Sequence, residues 1–127
     1  MVIDMENETI LNTVKLALGG GLVSYSDTAF DEQILLHINS TFTILNQLGV
    51  GPKELFIADR DSTWDNFLVD NSINLNLVKS YLYLRVRLLF DPPTSNSFVL
   101  EAIKEQIKEY EWRINVYVDH GEEDQNE

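Results

Sequence analysis

Between about Ile73 and Phe90 the chain reads INLNLVKSYLYLRVRLLF, and Asp91-Pro92-Pro93 follows at once. With about 100° between successive residues of a helix, Asn76, Ser80, Tyr83 and Arg87 share one narrow polar stripe. Leucine, valine and tyrosine fill nearly all the remaining circumference. A helix apolar around most of its girth must be central, with other helices around it. Its end is set by backbone chemistry: Pro92 has no amide hydrogen and drives Asp91 out of the helical region, and Pro93 stiffens the exit. Thr94, Ser95, Asn96 and Ser97 then offer side-chain acceptors for the next N-cap, so the stretch is a short, rigid turn between antiparallel helices.

The following helix, from about Phe98 to Val118, turns a stripe of Val99, Ile103, Gln106, Ile107, Tyr110, Ile114 and Tyr117 toward that core helix. Glu101, Glu105, Lys108 and Trp112 lie opposite. Glu101 and Lys104, and Glu105 and Lys108, are spaced for surface ion pairs worth ~0.2–0.5 kcal/mol each. Two residues break the pattern. Trp112 stands on a charged face, where tryptophan suits a contact with another subunit or partner. Arg85 falls in the apolar arc of the core helix near Val78, Tyr81, Leu82 and Leu89, where an unpaired guanidinium is costly. Either it snorkels at a subunit boundary or it pairs with a carboxylate of the last helix, and the sequence leaves both open.

Upstream, Ile10, Leu11, Val14, Ala17 and Leu18 predict a helix over about Glu6 to Leu18, closed by Gly19-Gly20-Gly21. No Gly-Lys-Ser/Thr follows, so the glycines read as a C-cap and link and not as a phosphate loop. A second helix should open near Ser26 or Asp27, with Asp31 and Glu32 complementing the positive end of its dipole. Its inner stripe is Phe30, Ile34, Ile38, Thr41, Phe42, Leu45 and Leu48, and Gly49 in the C′ position and Gly51-Pro52 end it. Leu55 to Ala58 reads as extended. Ser62-Thr63-Trp64-Asp65 resembles a capping box that opens a short helix through Trp64, Phe67 and Leu68. The fold class is therefore all-α: a small bundle of four to five helices with a short irregular or extended segment around residues 52–60. It forms one domain over residues 1–118, followed by an acidic, flexible tail at 119–127.

Charge narrows the function classes. Nine basic against 21 acidic residues give a net charge of −12, which repels nucleic-acid phosphates and anionic lipid surfaces at long range. There is no cysteine, and the start, MVIDMENETI, lacks the basic flank and apolar run of a secretory signal. The expectation is a soluble, cytosolic product that does not engage a membrane. No chemistry emerges from the residues. His37 and His120, the two histidines, have no second ligand at metal spacing, and no serine lies in a Gly-x-Ser-x-Gly elbow. Asp59, Asp61 and Asp65 lack the calcium-loop spacing and read as a solvated loop and helix cap. No catalytic residue, cofactor or metal site is expected, and an enzyme has no positive support.

A resemblance carries the function further. The run KSYLYLRVRLLFDPPTSNSFVLEAIKEQIKEYEWRIN, with HINSTFTILNQLGVGP and TWDNFL upstream, resembles the head-tail connector, or head-completion adaptor, proteins of long-tailed bacteriophages infecting Gram-positive hosts. It covers roughly residues 8 to 118, and RLLFDPP followed by EWR is its most specific part. The acidic ends and the triple glycine fall outside it. The resemblance implies a structural protein without a cofactor, made in the host bacterial cytoplasm and incorporated at the head-tail junction of the virion. There it would form a twelve-fold homo-oligomeric ring beneath the portal protein, extend the conduit through which genomic DNA passes without sequence-specific binding, and dock a downstream stopper or tail adaptor. A ring needs two different faces of each subunit to meet. Tyr83, Arg85 and Arg87 on the core helix, and Glu111, Trp112 and Arg113 on the last, are the residues proposed for such subunit or partner contacts. The alternative is an acidic helical regulatory module that blocks a basic protein surface by mimicking nucleic-acid charge.

Overall fold

The computed structural model of the chain describes residues 9–18, 28–68 and 75–125, with side chains as far as Val118. The helices are α1 (Ile10–Leu18), α2 (Asp31–Gln47), α3 (Trp64–Phe67), α4 (Leu75–Phe90) and α5 (Ser97–Gln125). Among the described residues there is no strand, only an isolated antiparallel bridge between Thr9 and Thr63. The all-α bundle read from the sequence is the observed class, and residues 50–63 form its irregular connection.

The apolar rod is central. α4 packs against α2, α5 and α1, burying Val78, Tyr81, Leu82 and Val86 completely. The rest of the core comes from Ile34, Ile38, Phe42 and Leu45 of α2, Ile103, Ile107 and Ile114 of α5, Ile10, Leu11 and Val14 of α1, and Val50, Ala58, Trp64 and Phe67 of α3 and the segment before it. After the two prolines the chain reverses, and α5 runs back along α4. The Asp91 amide closes the last turn on the Arg87 carbonyl at 2.8 Å, and Thr94 and Asn96 amides bond back to the Pro92 and Pro93 carbonyls. Of the four possible caps, Asn96 is the one used: its Oδ1 accepts from the Val99 amide at 3.2 Å.

Several local expectations shift. Asp31, not Ser26 or Asp27, begins α2, and residues 19–27 lie outside the described residues. Phe30, expected inside, is exposed at the helix start and stacks edge-on against Phe90, 5.7 Å between ring centroids. The capping box sits one residue later than the sequence suggested: Thr63 is the N-cap, and its amide donates to Asn66 Oδ1 at 2.9 Å, so Asn66 takes the place assigned to Asp65. Ile73, the expected start of the core helix, also falls outside the described residues. Tyr117, placed on the inner stripe of the last helix, is exposed. α5 runs on to Gln125, beyond the boundary at Val118, since one glycine costs a helix only about 1 kcal/mol and does not stop it.

The end of α2 behaves as read. Gly49, at φ +90°, donates to the Asn46 carbonyl, and the Val50 amide reaches back to Leu45 at 2.9 Å, the paired bonds of a Schellman close. The extended segment then lies along α2, where the Asn39 side chain bonds Ala58 in both directions: Ala58 N–H donates to Oδ1 at 2.7 Å, and Nδ2 donates to the Ala58 carbonyl at 3.1 Å. An aromatic cluster of Phe42, Phe56, Trp64 and Phe67 seals this end, with Phe42 and Phe67 centroids 4.5 Å apart.

Candidate interaction surface

The six residues singled out for contacts divide between the interior and the surface. Tyr83 and Arg87 lie on the outward side of α4, each half-buried. Trp112 is 66% exposed, as its place on the charged face of α5 predicted, and Arg113 beside it pairs with Glu109 at 2.7 Å across one helical turn. Glu111 is different: its Oε2 accepts a hydrogen bond from the Tyr81 hydroxyl at 2.7 Å, so it ties α5 to α4 within one chain. Burial, and then this carboxylate, push the Tyr81 hydroxyl well above its ordinary ionisation range.

Arg85 takes neither a buried ion pair nor a fully solvated position. Its Nε is buried with no hydrogen-bond partner, while the residue as a whole is partly exposed, and it forms no ion pair with a described residue. The last helix does bring a carboxylate to this region, but Glu111 is taken by Tyr81. The arginine therefore sits at the edge of the core, partly exposed and without an ion pair among the described residues.

Together with Lys79, these arginines give α4 three cations and no acidic residue, and none of the three is ion-paired to a described residue. Lys79 Nζ instead lies 5.4 Å from the centroid of the Trp64 ring. Arg85 lies within the buried arc of α4, and Lys79 and Arg87 lie outside it. Val78, Tyr81, Leu82 and Val86 fall within roughly half of the α4 circumference. The other half, with Leu77, Tyr83, Leu84 and Leu88, stays partly exposed, and Leu89 at the helix end is 47% exposed.

One charge cluster was not foreseen. Lys15, only 2% exposed, places Nζ 2.8 Å from Asp31 Oδ1, and Arg60 donates to the other carboxylate oxygen. The three join α1, the first turn of α2 and the loop before α3. Burial alone would push the Asp31 carboxyl up, but the hydrogen bonds and charges of Lys15 and Arg60 outweigh it and hold the group below its ordinary value. The sequence did contain a signal: Lys15 stands on the apolar stripe of α1 between Leu11 and Leu18, the same kind of intrusion as Arg85.

Among the described residues no group of three or more His, Asp or Glu side chains could hold a metal. Asp59 is engaged locally, its carboxyl held below the usual range by the Asp61 amide and the Ser62 hydroxyl, so the acidic loop is knit by its own turn. His37 lines a shallow depression of mixed character with Phe30, Gln33, Leu89, Phe90 and Asp91. No helix of the described residues is long and apolar enough to cross a membrane.

Residues 10–121 match the family of phage connector proteins. The chain belongs to that family. It is a structural connector protein of bacteriophages, and the resemblance carried by RLLFDPP and EWR is upheld over nearly the whole described fold. No curated protein and no solved structure matches the connector. Its place in a connector family fits a surface built for protein contacts and puts it with phage head and tail components.

Proposed function

We propose that this connector assembles as a homo-oligomeric, twelve-fold ring between the capsid portal and a downstream stopper or tail adaptor, at the head-tail junction of the virion. The ring prolongs the conduit for genomic DNA and makes no sequence-specific contact with it. The observation that carries this reading is the family match over residues 10–121. The partly buried leucines of α4 and the exposed Leu89 at its end support it, because they leave some apolar surface for a neighbouring subunit to cover. Tyr83, Arg85, Arg87, Trp112 and Arg113 are the residues we place at subunit or partner contacts, with Glu111 beneath them bracing α5 on α4. A net charge of −12 suits a channel wall, which must let phosphates slide past without gripping them.

The test is the mass of the connector alone and with the portal protein. Association in a defined ring stoichiometry on the portal supports the reading. A connector that stays monomeric and unbound at micromolar portal refutes it, and a channel lined chiefly by lysine and arginine refutes the argument about the wall.

A further inference from the structure

On α4, Lys79, Tyr83 and Arg87 follow one another at four-residue steps, so three donors lie along about 12 Å of one ridge on the side the monomer leaves partly exposed. On the outer face of α5, Glu101, Glu105 and Glu109 repeat at the same four-residue step, three exposed acceptors over the same length. We infer that these two strips meet between copies of the chain: the Lys79–Tyr83–Arg87 ridge of one subunit docks on the Glu101–Glu105–Glu109 ridge of the next. The inference rests on the ring reading and assigns its subunit interface.

Three features commit the occupant to a second copy. The first is matched charge: donor, donor, donor against acceptor, acceptor, acceptor at one spacing, in a protein whose α4 cations find no carboxylate among the described residues of their own chain. The second is geometry. Both strips run along the i, i+4 ridge of a helix, and two such ridges lie parallel when the helices cross at about −50°, the commonest helix-helix packing, so all three pairs can align together. The third is direction. Within one chain α5 packs on α4 through its opposite face, Ile103, Ile107 and Ile114, so the carboxylate row points away from its own α4 and cannot satisfy it. The contact is head-to-tail, the kind that closes into a ring. Some apolar surface lies near both strips: the partly buried Leu84 and Leu88 on α4, and exposed Trp112 on α5.

The α5 carboxylates already have partners: Glu101 has Lys104 at 3.6 Å, Glu105 has Lys108 at 3.8 Å and Glu109 has Arg113. These are solvent-exposed pairs within one helix and weak, so they exchange readily for a partner's cations.

The experiment uses two charge-reversed full-length chains, Lys79→Glu/Arg87→Glu and Glu101→Lys/Glu109→Lys, each checked for wild-type helicity by circular dichroism. Assembly is read by sedimentation and native mass, alone and on the portal protein. Each reversed chain should self-associate at least about tenfold more weakly than wild type, because like charges then face each other. An equimolar mixture should recover assembly, since every interface again pairs opposite charges. Wild-type assembly should also weaken as salt rises to about 1 M, where screening acts within about 3 Å. If wild type assembles and the reversed chains assemble equally well, or the mixture recovers nothing, this interface is wrong and the ring stands. If wild type does not assemble even on the portal, the ring fails and the interface with it. Duplex DNA retained by wild type and released by Lys79→Glu/Arg87→Glu would make the ridge a phosphate contact and overturn the inference.

Discussion

Asp31→Asn is the most informative change to the monomer. The substitution keeps the shape of the side chain but removes the charge that Lys15, 2% exposed, was buried to meet. Breaking a buried pair by neutralising one partner costs about 3–5 kcal/mol, because the other charge is left desolvated. Arg60, with half its side chain in water, re-solvates at little cost, so the loss is dominated by Lys15. The introduced side-chain amide still offers one acceptor oxygen, which places the expected loss near the lower end, about 3 kcal/mol. At roughly 4 °C per kcal/mol for a chain of this size, the melting temperature falls by about 12 °C. The sharper test is the double variant Lys15→Met/Asp31→Asn. With no charge left inside, it should recover at least about 1 kcal/mol relative to Asp31→Asn alone, and Arg60→Ala should cost under about 1 kcal/mol. Urea unfolding followed by far-ultraviolet circular dichroism measures all four proteins. If Asp31→Asn loses less than about 1 kcal/mol, or the double variant is less stable than the single one, the lysine is not held by this carboxylate as described. The pH dependence has a fixed sign. The folded carboxyl lies below its unfolded value near 3.9, so its contribution is complete above that pH and disappears as pH falls through the lower folded value. Wild type should lose stability below about pH 4 more steeply than Asp31→Asn.

Gly51→Ala should destabilise by at least about 2 kcal/mol in the same urea assay: φ is +93°, and an added Cβ would collide with Phe67 Cε2, part of a ring locked in the aromatic cluster. Asn39→Ala strips both bonds from Ala58, which is buried, and should cost about 1–3 kcal/mol and raise amide exchange at Ala58; unchanged exchange there would count against the tether. Tyr81→Phe should cost about 1.5–3 kcal/mol for the hydrogen bond to the Glu111 carboxylate. In ultraviolet titration Tyr81 should ionise later than the ordinary value near 10, its stabilising contribution complete below that pH and lost as pH climbs through the higher folded value; five tyrosines titrating together near 10 would contradict its burial.

Local and periodic features were legible without coordinates: the central position of α4, its stop at Pro92-Pro93, the Gly49 close of α2, the inner stripe of α5 and the exposed Trp112. Each follows from one stretch of chain, since apolar spacing fixes a face and an imino acid or a glycine fixes an end. The surface residues were legible in kind but not in role. Tyr83 and Arg87 were placed on the polar stripe correctly, whereas Glu111 proved to brace α4 from within, because only the packed angle between α4 and α5 brings it to Tyr81.

What the sequence determined by itself, then, is an all-α bundle about one apolar rod, and the run of residues that marks a phage connector. What the tertiary structure alone decided is how charge is distributed among long-range partners. Lys15 found Asp31, Arg60 joined them, Glu111 went to Tyr81, and the cations of α4 were left without a carboxylate among the described residues. Helical periodicity is a property of neighbours three or four residues apart, but an ion pair between α1 and α2 or a hydrogen bond between α4 and α5 depends on where separate helices come to rest, which no spacing within either one specifies.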